Sequence, residues 1–207
     1  AMGIFRDSGQ VCVAGSRLLV EESVRDEFLD HLKTVAEQLR VGDPLDLNNQ
    51  VGAINNATQL QKNLGFVETA LNEGATLVTG GQQIHQESGG YFMAPTIFSD
   101  VKPDMMLARE EVFGPVLGVM GFTDEADAVR LANDTEYGLA AGVWTANLSR
   151  AHRMIRALKA GVVHVNTYGG PDVTVPLGGV KQSGNGVDKS MHALDKYTNL
   201  KTAWIQL

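Results

Sequence analysis

Several stretches of the chain carry apolar residues at the spacing of an amphipathic helix. In residues 21–40 the apolar positions recur every third or fourth residue from Val24 to Leu39, which places them on one face of a helix. Residues 57–73 show the same spacing, and Gly74 follows them as a typical C-terminal stop. Further, shorter helices are predicted over residues 103–109, 124–132, 148–158 and 185–197.

Strands are predicted between these helices. The continuous apolar run at residues 116–122 is typical of a central, buried strand. Residues 91–98 alternate and carry aromatic side chains, so they predict a strand with Pro95 at an irregular point or an edge. The other strands are predicted over residues 17–20, 75–79, 138–145, 162–166 and 200–207. Strands that alternate with helices predict an α/β fold, with a mostly parallel sheet and helices on both faces.

Polar and glycine-rich residues mark the boundaries of the elements. Ser23 with Asp26 is a reasonable capping pair for the first helix, and Thr123 can cap the helix at residues 124–132. Residues 168–183 are rich in glycine and poor in helix-forming residues. A loop this long is more often a functional surface than a plain connection.

The composition is that of a globular protein with a sizeable core. The chain has 207 residues, 43% of them hydrophobic and 20% charged. We interpret it as one α/β domain over residues 1–197, followed by a C-terminal strand over residues 198–207. The formal net charge is −7, without a block of lysines or arginines, which argues against nucleic acid or an anionic membrane as a partner. No apolar run approaches the roughly 20 residues of a membrane-spanning helix.

The cysteine and histidine content limits the possible chemistry. The one cysteine, Cys12, excludes an internal disulfide, which fits a reducing compartment, and we expect a cytoplasmic protein. The 5 histidines are scattered along the chain without paired spacing. We therefore expect no metal site.

Cys12 is the main candidate for chemistry. Small residues surround it, among them Gly9, Ala14 and Gly15, and such a backbone allows a substrate to approach closely. A cysteine that attacks a carbonyl needs N–H donors for the oxyanion that it creates. From the residues alone, a small buried cysteine between two valines is the commoner alternative, and it stays open.

Four segments resemble signatures of the aldehyde dehydrogenase superfamily. They occur in the family's order, at family-like separations, and they cover nearly the whole chain. The segments are residues 9–17 (GQVCVAGSR), 110–116 (EEVFGPV), 133–139 (NDTEYGL) and 176–184 (PLGGVKQSG). The chain is thus similar to the C-terminal catalytic-domain half of such an enzyme. From Lys181 onward it is most similar to gamma-glutamyl-gamma-aminobutyraldehyde dehydrogenases of putrescine breakdown.

The resemblance implies roles for individual residues. Cys12 would attack the aldehyde, Glu111 would hold the nicotinamide ribose through its hydroxyls, and Phe113 would pack near the nicotinamide. Asn166 would support the active-site loop, and Leu177 would belong to the loop that anchors the substrate. Many family members have an aromatic residue at the position of Leu177, so an aliphatic side chain here favours a longer or more flexible substrate. From the residues alone, Glu111 can equally be a solvated charge, Phe113 a core residue and Asn166 a turn residue.

The implied reaction is the oxidation of an aldehyde to a carboxylic acid with NAD or NADP, through a cysteine thiohemiacetal and a thioester. No strand–glycine-loop–helix unit precedes Cys12. We therefore expect the cofactor to be bound mainly by an N-terminal nucleotide-binding domain that this chain lacks, and the isolated chain to be nearly inactive. The same half of the family fold supplies the general base and a second oxyanion donor.

In the family, a strand like residues 200–207 adds to the sheet of a partner subunit, which implies a homodimer or tetramer. Two other functions stay open at this point. One is a non-catalytic oligomerisation module with a buried, inert Cys12. The other is a thiol-dependent esterase that needs no cofactor.

Overall fold

The structure is a computed structural model that describes residues 1–169 and 172–207. The chain forms two compact units, Ala1–Thr135 and Glu136–Leu207. The first unit contains α1 (Met2–Phe5), β1 (Arg17–Glu21), α2 (Arg25–Glu37), α3 (Ala57–Asn72), β2 (Thr76–Thr79), β3 (Gln83–Ile84), β4 (Phe92–Met93), β5 (Thr96–Ser99), α4 (Met106–Arg109), β6 (Val116–Phe122) and α5 (Glu125–Asn133). The second contains β7 (Ala140–Val143), α6 (Leu148–Ala157), β8 (Val162–Val165), β9 (Leu177–Gly178) and β10 (Val187–Asp188).

The central strand of the first unit is β6, and its bounds are those that the apolar run predicted. The sheet has the order β1-β6-β5-β2. β6 pairs in parallel with β1 on one side and with β5 on the other, and β2 joins β5 antiparallel. Residues 116–120 are buried, as expected for a strand covered on both faces. The predicted mostly parallel sheet is confirmed.

Each face of this sheet carries its own apolar core. Neighbouring residues of a strand point to opposite faces, and β5 shows this directly. Phe98 packs into a cluster with Leu60 and Phe66 of α3. Ile97 packs into the other cluster, with Leu32 of α2. Helices therefore cover both faces of the sheet, as the sequence predicts.

The second unit is built around a parallel pair of strands. β7 and β8 pair in parallel, with α6 between them in the chain. Asn147 caps α6, since its side-chain oxygen accepts from the Arg150 N–H at 2.9 Å. β9 and β10 form a short antiparallel ribbon.

Pro95 divides the strand that was predicted over residues 91–98. β4 lies before it and pairs with β3, whereas β5 lies after it and joins the main sheet. Proline has no N–H to donate to a ladder, so the pairing breaks at this residue. The irregular point at Pro95 is confirmed, but the single continuous strand is wrong.

Both predicted helix caps are wrong. α2 begins after Val24 without a side-chain cap, and Ser23 Oγ donates instead to a glutamate carboxylate at 3.3 Å. At α5 the cap is Asp124, whose side-chain oxygen accepts from the Asp127 N–H at 2.9 Å. Thr123 lies one residue earlier and donates its N–H to the Asp127 carboxylate at 3.2 Å. An acidic residue at the second position after the apolar strand therefore outcompetes the threonine before it.

The strand predicted over residues 200–207 is not formed in this chain. Residues 198–207 have no regular secondary structure, and no described strand pairs with them. A strand requires a neighbour with unpaired backbone groups. The apolar side chains of this segment are exposed; they are Leu200, Trp204, Ile205 and Leu207.

The loop predicted over residues 168–183 is partly regular. It contains β9 and a 3₁₀ turn at Lys181–Ser183, while Gly170 and Pro171 lie outside the described residues. The helix predicted over residues 185–197 is replaced by β10 and a 3₁₀ stretch at Met191–Tyr197.

The cap at α5 gives a direct test. Asp124→Ala should lower the free energy of unfolding by about 1 kcal/mol, because it leaves the Asp127 N–H without its acceptor. Thr123→Ala should change it by less than about 0.5 kcal/mol, because the backbone N–H of residue 123 remains. Urea denaturation followed by circular dichroism measures both. A larger effect of Thr123→Ala would contradict the assignment.

Candidate active site

Cys12 lies in a tight turn just before β1. The Ala14 N–H closes the turn by donating to the Val11 carbonyl at 2.8 Å. The Cys12 side chain is exposed, so the alternative of a buried Cys12 is wrong for this chain. Among the described residues, the Cys12 backbone N–H has no acceptor. It is therefore available to an oxyanion formed at the thiol.

Three consecutive left-handed residues precede this turn. Asp7, Ser8 and Gly9 have φ values of 51°, 57° and 69°, and the Gln10 N–H donates to the Asp7 carbonyl at 3.1 Å. Left-handed backbone costs roughly 1–2 kcal/mol for each residue that carries a Cβ. Such strain persists only where neighbouring groups hold it in place.

Gly9 packs the cysteine segment against the second signature segment. A Cβ on Gly9 would lie 2.1 Å from the Gly114 carbonyl oxygen, so this contact requires glycine. Beyond the cysteine, the Gly118 N–H donates to the Ser16 carbonyl at 3.0 Å. The first two signature segments therefore lie side by side within the first unit.

Glu111 and Phe113 lie on the segment that leads into β6. Glu111 is exposed, and its carboxylate forms no hydrogen bond or ion pair with any residue that the structure describes. Phe113 is half-buried and has a left-handed φ of 57°. Gln59 of α3 holds this backbone, since its Nε2 donates to the carbonyls of Val112 and Phe113 at 2.9 and 3.1 Å. No local sequence signal marks Gln59, because these backbone partners are 53 and 54 residues away along the chain.

Phe113 forms part of the wall of an open depression of about 630 Å³. The strained turn, the loop before α3 and the first turn of α3 supply the rest of the lining. These residues are Asp7, Gln10, Ala53, Asn55, Asn56 and Gln59. Of these, the Asn55 side-chain amide forms no hydrogen bond with a described residue, so it can donate to and accept from a polar ligand. No local pattern marked Asn55 or Asn56, because only tertiary contacts bring them to this place.

Asn166, in the second unit, joins the carboxyl ends of β7 and β8. Its backbone N–H donates to the Val143 carbonyl at 2.8 Å. Its side-chain oxygen accepts from the Thr145 N–H at 2.8 Å, and its side-chain nitrogen donates to the Thr145 carbonyl at 2.9 Å. Because both ends of the amide are used in this way, we infer a structural role for Asn166.

The third and fourth signature segments meet in the second unit. The Val180 N–H donates to the Gly138 carbonyl at 3.0 Å, and the Gly138 N–H donates to Ser183 Oγ at 2.9 Å. Leu177 lies in β9 opposite Asp188 and is half-buried. Cys12, Glu111 and Phe113 thus belong to the first unit, whereas Asn166 and Leu177 belong to the second.

Tyr168 packs among aromatic neighbours after β8. Its ring centroid lies 6.2 Å from that of Trp144, in a stacked arrangement, and 5.4 Å from that of His164. The rings cover Gly142, where a Cβ would lie 2.6 Å from the Tyr168 ring. Burial raises the pKa of the Tyr168 phenol above its ordinary value.

Across residues 1–169 and 172–207, no group of three or more His, Cys, Asp or Glu side chains is arranged to hold a metal ion. Over the same residues, no helix combines the length and apolarity that a membrane span requires.

Known proteins match the chain over nearly its whole length. Residues 1–203 match the model of the aldehyde dehydrogenase family. The NADP/NAD-dependent aldehyde dehydrogenase PuuC of Escherichia coli K12 is 52% identical over 209 residues, which cover 100% of this chain and 41% of PuuC. A betaine aldehyde dehydrogenase of Rhizobium etli is 46% identical, and the match covers 99% of this chain and 42% of that enzyme.

The solved structures agree with these sequence matches. A crystal structure of an indole-3-acetaldehyde dehydrogenase with NAD⁺ has a TM-score of 0.96 and 52% identity. The match covers 100% of this chain and 42% of that one. The chain therefore spans 41 to 42% of the length of these relatives.

The contact at Gly9 can be tested with a matched glycine. Gly9→Ala should destabilise the first unit by about 2–4 kcal/mol, because it adds a backbone clash to the strain of a left-handed residue. Gly74→Ala should cost only about 1 kcal/mol, since φ is 91° there but no atom lies within 4 Å. Equal losses in urea denaturation would show that Gly9 is not packed in this way.

Tyr168 predicts a fall in stability at alkaline pH. The unfolded chain loses the phenol proton near pH 10, and the folded chain loses it at higher pH. The contribution of the protonated Tyr168 phenol to folding stability is therefore fully present below about pH 10, and it is lost as the pH rises through the raised pKa. The urea midpoint should drop more between about pH 9 and about pH 11 in the wild type than in Tyr168→Phe. Tyr197→Phe, at an exposed tyrosine of the same unit, should keep the wild-type profile.

Proposed function

Because this chain belongs to the aldehyde dehydrogenase family, we propose that it forms the catalytic-domain part of an NAD(P)-dependent enzyme that oxidises an aldehyde to a carboxylic acid. The observation that carries the proposal is the exposed Cys12 in its turn, beside the segment of Glu111 and Phe113. The family match across residues 1–203 supports the same reading.

Cys12 is the proposed nucleophile. Its thiolate attacks the aldehyde carbon, so that a C–S bond forms and the carbonyl π electrons move to oxygen. The free backbone N–H of Cys12 donates to this oxyanion in the thiohemiacetal. Loss of hydride from the thiohemiacetal carbon to a bound nicotinamide would give the thioester. Water attacks the thioester carbon, its proton passes to a base, and the C–S bond breaks to release the acid and the thiolate. We expect the base that activates this water to come from outside these 207 residues.

The described residues fit one end of a nicotinamide dinucleotide. The Glu111 carboxylate is exposed and unpaired, so its oxygens can accept hydrogen bonds from two ribose hydroxyls. The half-buried Phe113 ring, whose backbone carbonyl accepts from Gln59, offers an apolar surface at the depression. A bound NAD(P)⁺ would supply the acceptor for the hydride that leaves the thiohemiacetal carbon. The rest of the cofactor is expected to bind to a separate nucleotide-binding domain.

The substrate is proposed to be an amino- or acylamino-aldehyde. Similarity to betaine aldehyde dehydrogenase, together with the resemblance from Lys181 onward to gamma-glutamyl-gamma-aminobutyraldehyde dehydrogenases, supports this class. Leu177 is aliphatic and half-buried in β9. An aliphatic side chain at this position suits a flexible substrate better than an aromatic one would. Asn166 supports the ends of the strands that precede this region of the chain.

We also propose a cytoplasmic homodimer or tetramer that forms through residues 198–207. The support is the exposure of Leu200, Trp204 and Ile205 in a segment without a described partner strand. An extended apolar segment of this kind can add to the sheet edge of a second copy.

The test is a chimera in which this chain replaces the matching segment of E. coli PuuC. NADH formation should be seen with a panel of aldehydes, and Cys12→Ser should lower kcat about 1,000-fold or more. Ser23→Ala, at an exposed position, serves as the control and should leave kcat unchanged. The 207-residue chain alone should form no NADH. Full activity of the Cys12→Ser chimera would overturn the nucleophile assignment.

A further inference from the structure

We propose that Gln10 is a positioning residue for Cys12, because its side-chain amide clamps the cysteine turn to the loop that precedes α3. The proposal rests on the proposed function of Cys12 as a nucleophile. Gln10 is two residues before Cys12, and in this structure its amide is bound at both ends by backbone groups.

Three hydrogen bonds join this turn to the loop before α3, and together they form the clamp. Gln10 Oε1 accepts from the Asn55 N–H at 2.8 Å, and Gln10 Nε2 donates to the Ala53 carbonyl at 3.4 Å. Ser8 adds the third, since its Oγ donates to the Gly52 carbonyl at 2.7 Å. Ser8 is only 2% exposed, and a buried hydroxyl that lost this acceptor would be costly. Two side chains of one strained turn thus bind one short loop.

The loop on the other side of the clamp is itself firmly held. Ile54 is 2% exposed, and its N–H donates to the Tyr91 carbonyl at 2.8 Å. Asn56 caps α3, with its side-chain oxygen accepting from the Gln59 N–H at 2.8 Å. The loop is therefore a fixed anchor rather than a mobile partner.

The turn needs such an anchor because its backbone is strained. Asp7 and Ser8 both have left-handed φ values and would relax to ordinary backbone if they were released. On the far side of Cys12, the Ser16 carbonyl is held by the Gly118 N–H of β6. Cys12 thus lies between two held points of the backbone, the clamp at Gln10 and the sheet at Ser16. Misplacing a reacting group by about 1 Å can cost roughly 100-fold in rate.

The experiment compares Gln10→Met, Gln10→Glu and Gln61→Met in the PuuC chimera. Methionine keeps the length of the side chain without its hydrogen bonds, and glutamate keeps an oxygen for the Asn55 N–H. Gln61 is exposed on α3 and serves as the matched control. Gln10→Met should lower kcat by about tenfold or more, with KM for the aldehyde changed by less than about threefold. Gln10→Glu should recover part of kcat, and Gln61→Met should match the parent.

Amide hydrogen exchange at Asn55 reports separately on the clamp. Gln10→Met should make this amide exchange faster, because its acceptor is gone. Rates are expressed per active site, counted as the part of the chimera's alkylation that Cys12→Ser abolishes. A faster exchange at Asn55 together with a kcat within about twofold of the parent would overturn the proposal. A fall in the number of active sites, with kcat per site unchanged, would also overturn the proposal.

Failure of the proposed function has a different signature. In that case the parent chimera shows no activity that depends on Cys12. The clamp is then tested on the 207-residue chain, by the rate at which iodoacetamide alkylates Cys12. The alkylation rate of the folded wild-type chain should differ by about threefold or more from that of the urea-unfolded chain. The rate for folded Gln10→Met should be closer to the unfolded rate. Equal rates for the folded wild type and Gln10→Met would overturn the clamp.

Discussion

The parallel pairing of β1 with β6 is the constraint on which the candidate site depends. Its register begins at Arg17 opposite Gly118, and the Gly118 N–H continues the ladder to the Ser16 carbonyl. Parallel strands begin at the same edge of a sheet. The segments that lead into β1 and β6 are therefore neighbours, although about 100 residues separate them in the chain. This pairing places the turn of Cys12 beside the segment of Glu111 and Phe113.

Steric and polar contacts then define the local geometry at that edge. Gly9 lies directly on the Gly114 carbonyl, so the two segments approach more closely than any side chain would allow. Left-handed backbone occurs on both sides of this contact, at Ser8 and at Phe113. Each is held by a polar side chain, Ser8 by its own hydroxyl on Gly52 and Phe113 by the amide of Gln59. The strain and the hydrogen bonds that hold it are located at the same place, which is typical of functional sites.

The site also departs from the usual rule for open α/β sheets. Ligands generally bind beyond the carboxyl ends of the strands, and that rule directs attention to Asn166 after β8. The structure uses the Asn166 amide to bind Thr145 instead. Cys12 and Phe113 lie at the amino ends of β1 and β6. General fold rules therefore direct attention to Asn166, whereas the signature residues direct it to Cys12, the proposed nucleophile.

The sequence by itself determined the local elements and the identity of the chemical groups. Its apolar period set α2, α3 and β6, Pro95 marked the break between β4 and β5, and the signature segments identified Cys12, Glu111 and Phe113 as candidates. These features depend on residues close together in the chain, so their patterns can be read locally. Only the tertiary structure decided that Cys12 is exposed, that Asp124 rather than Thr123 caps α5, and that residues 200–207 pair with no described strand. It alone revealed the roles of Gln10 and Gln59, because their partners lie more than 40 residues away and no local spacing encodes such contacts.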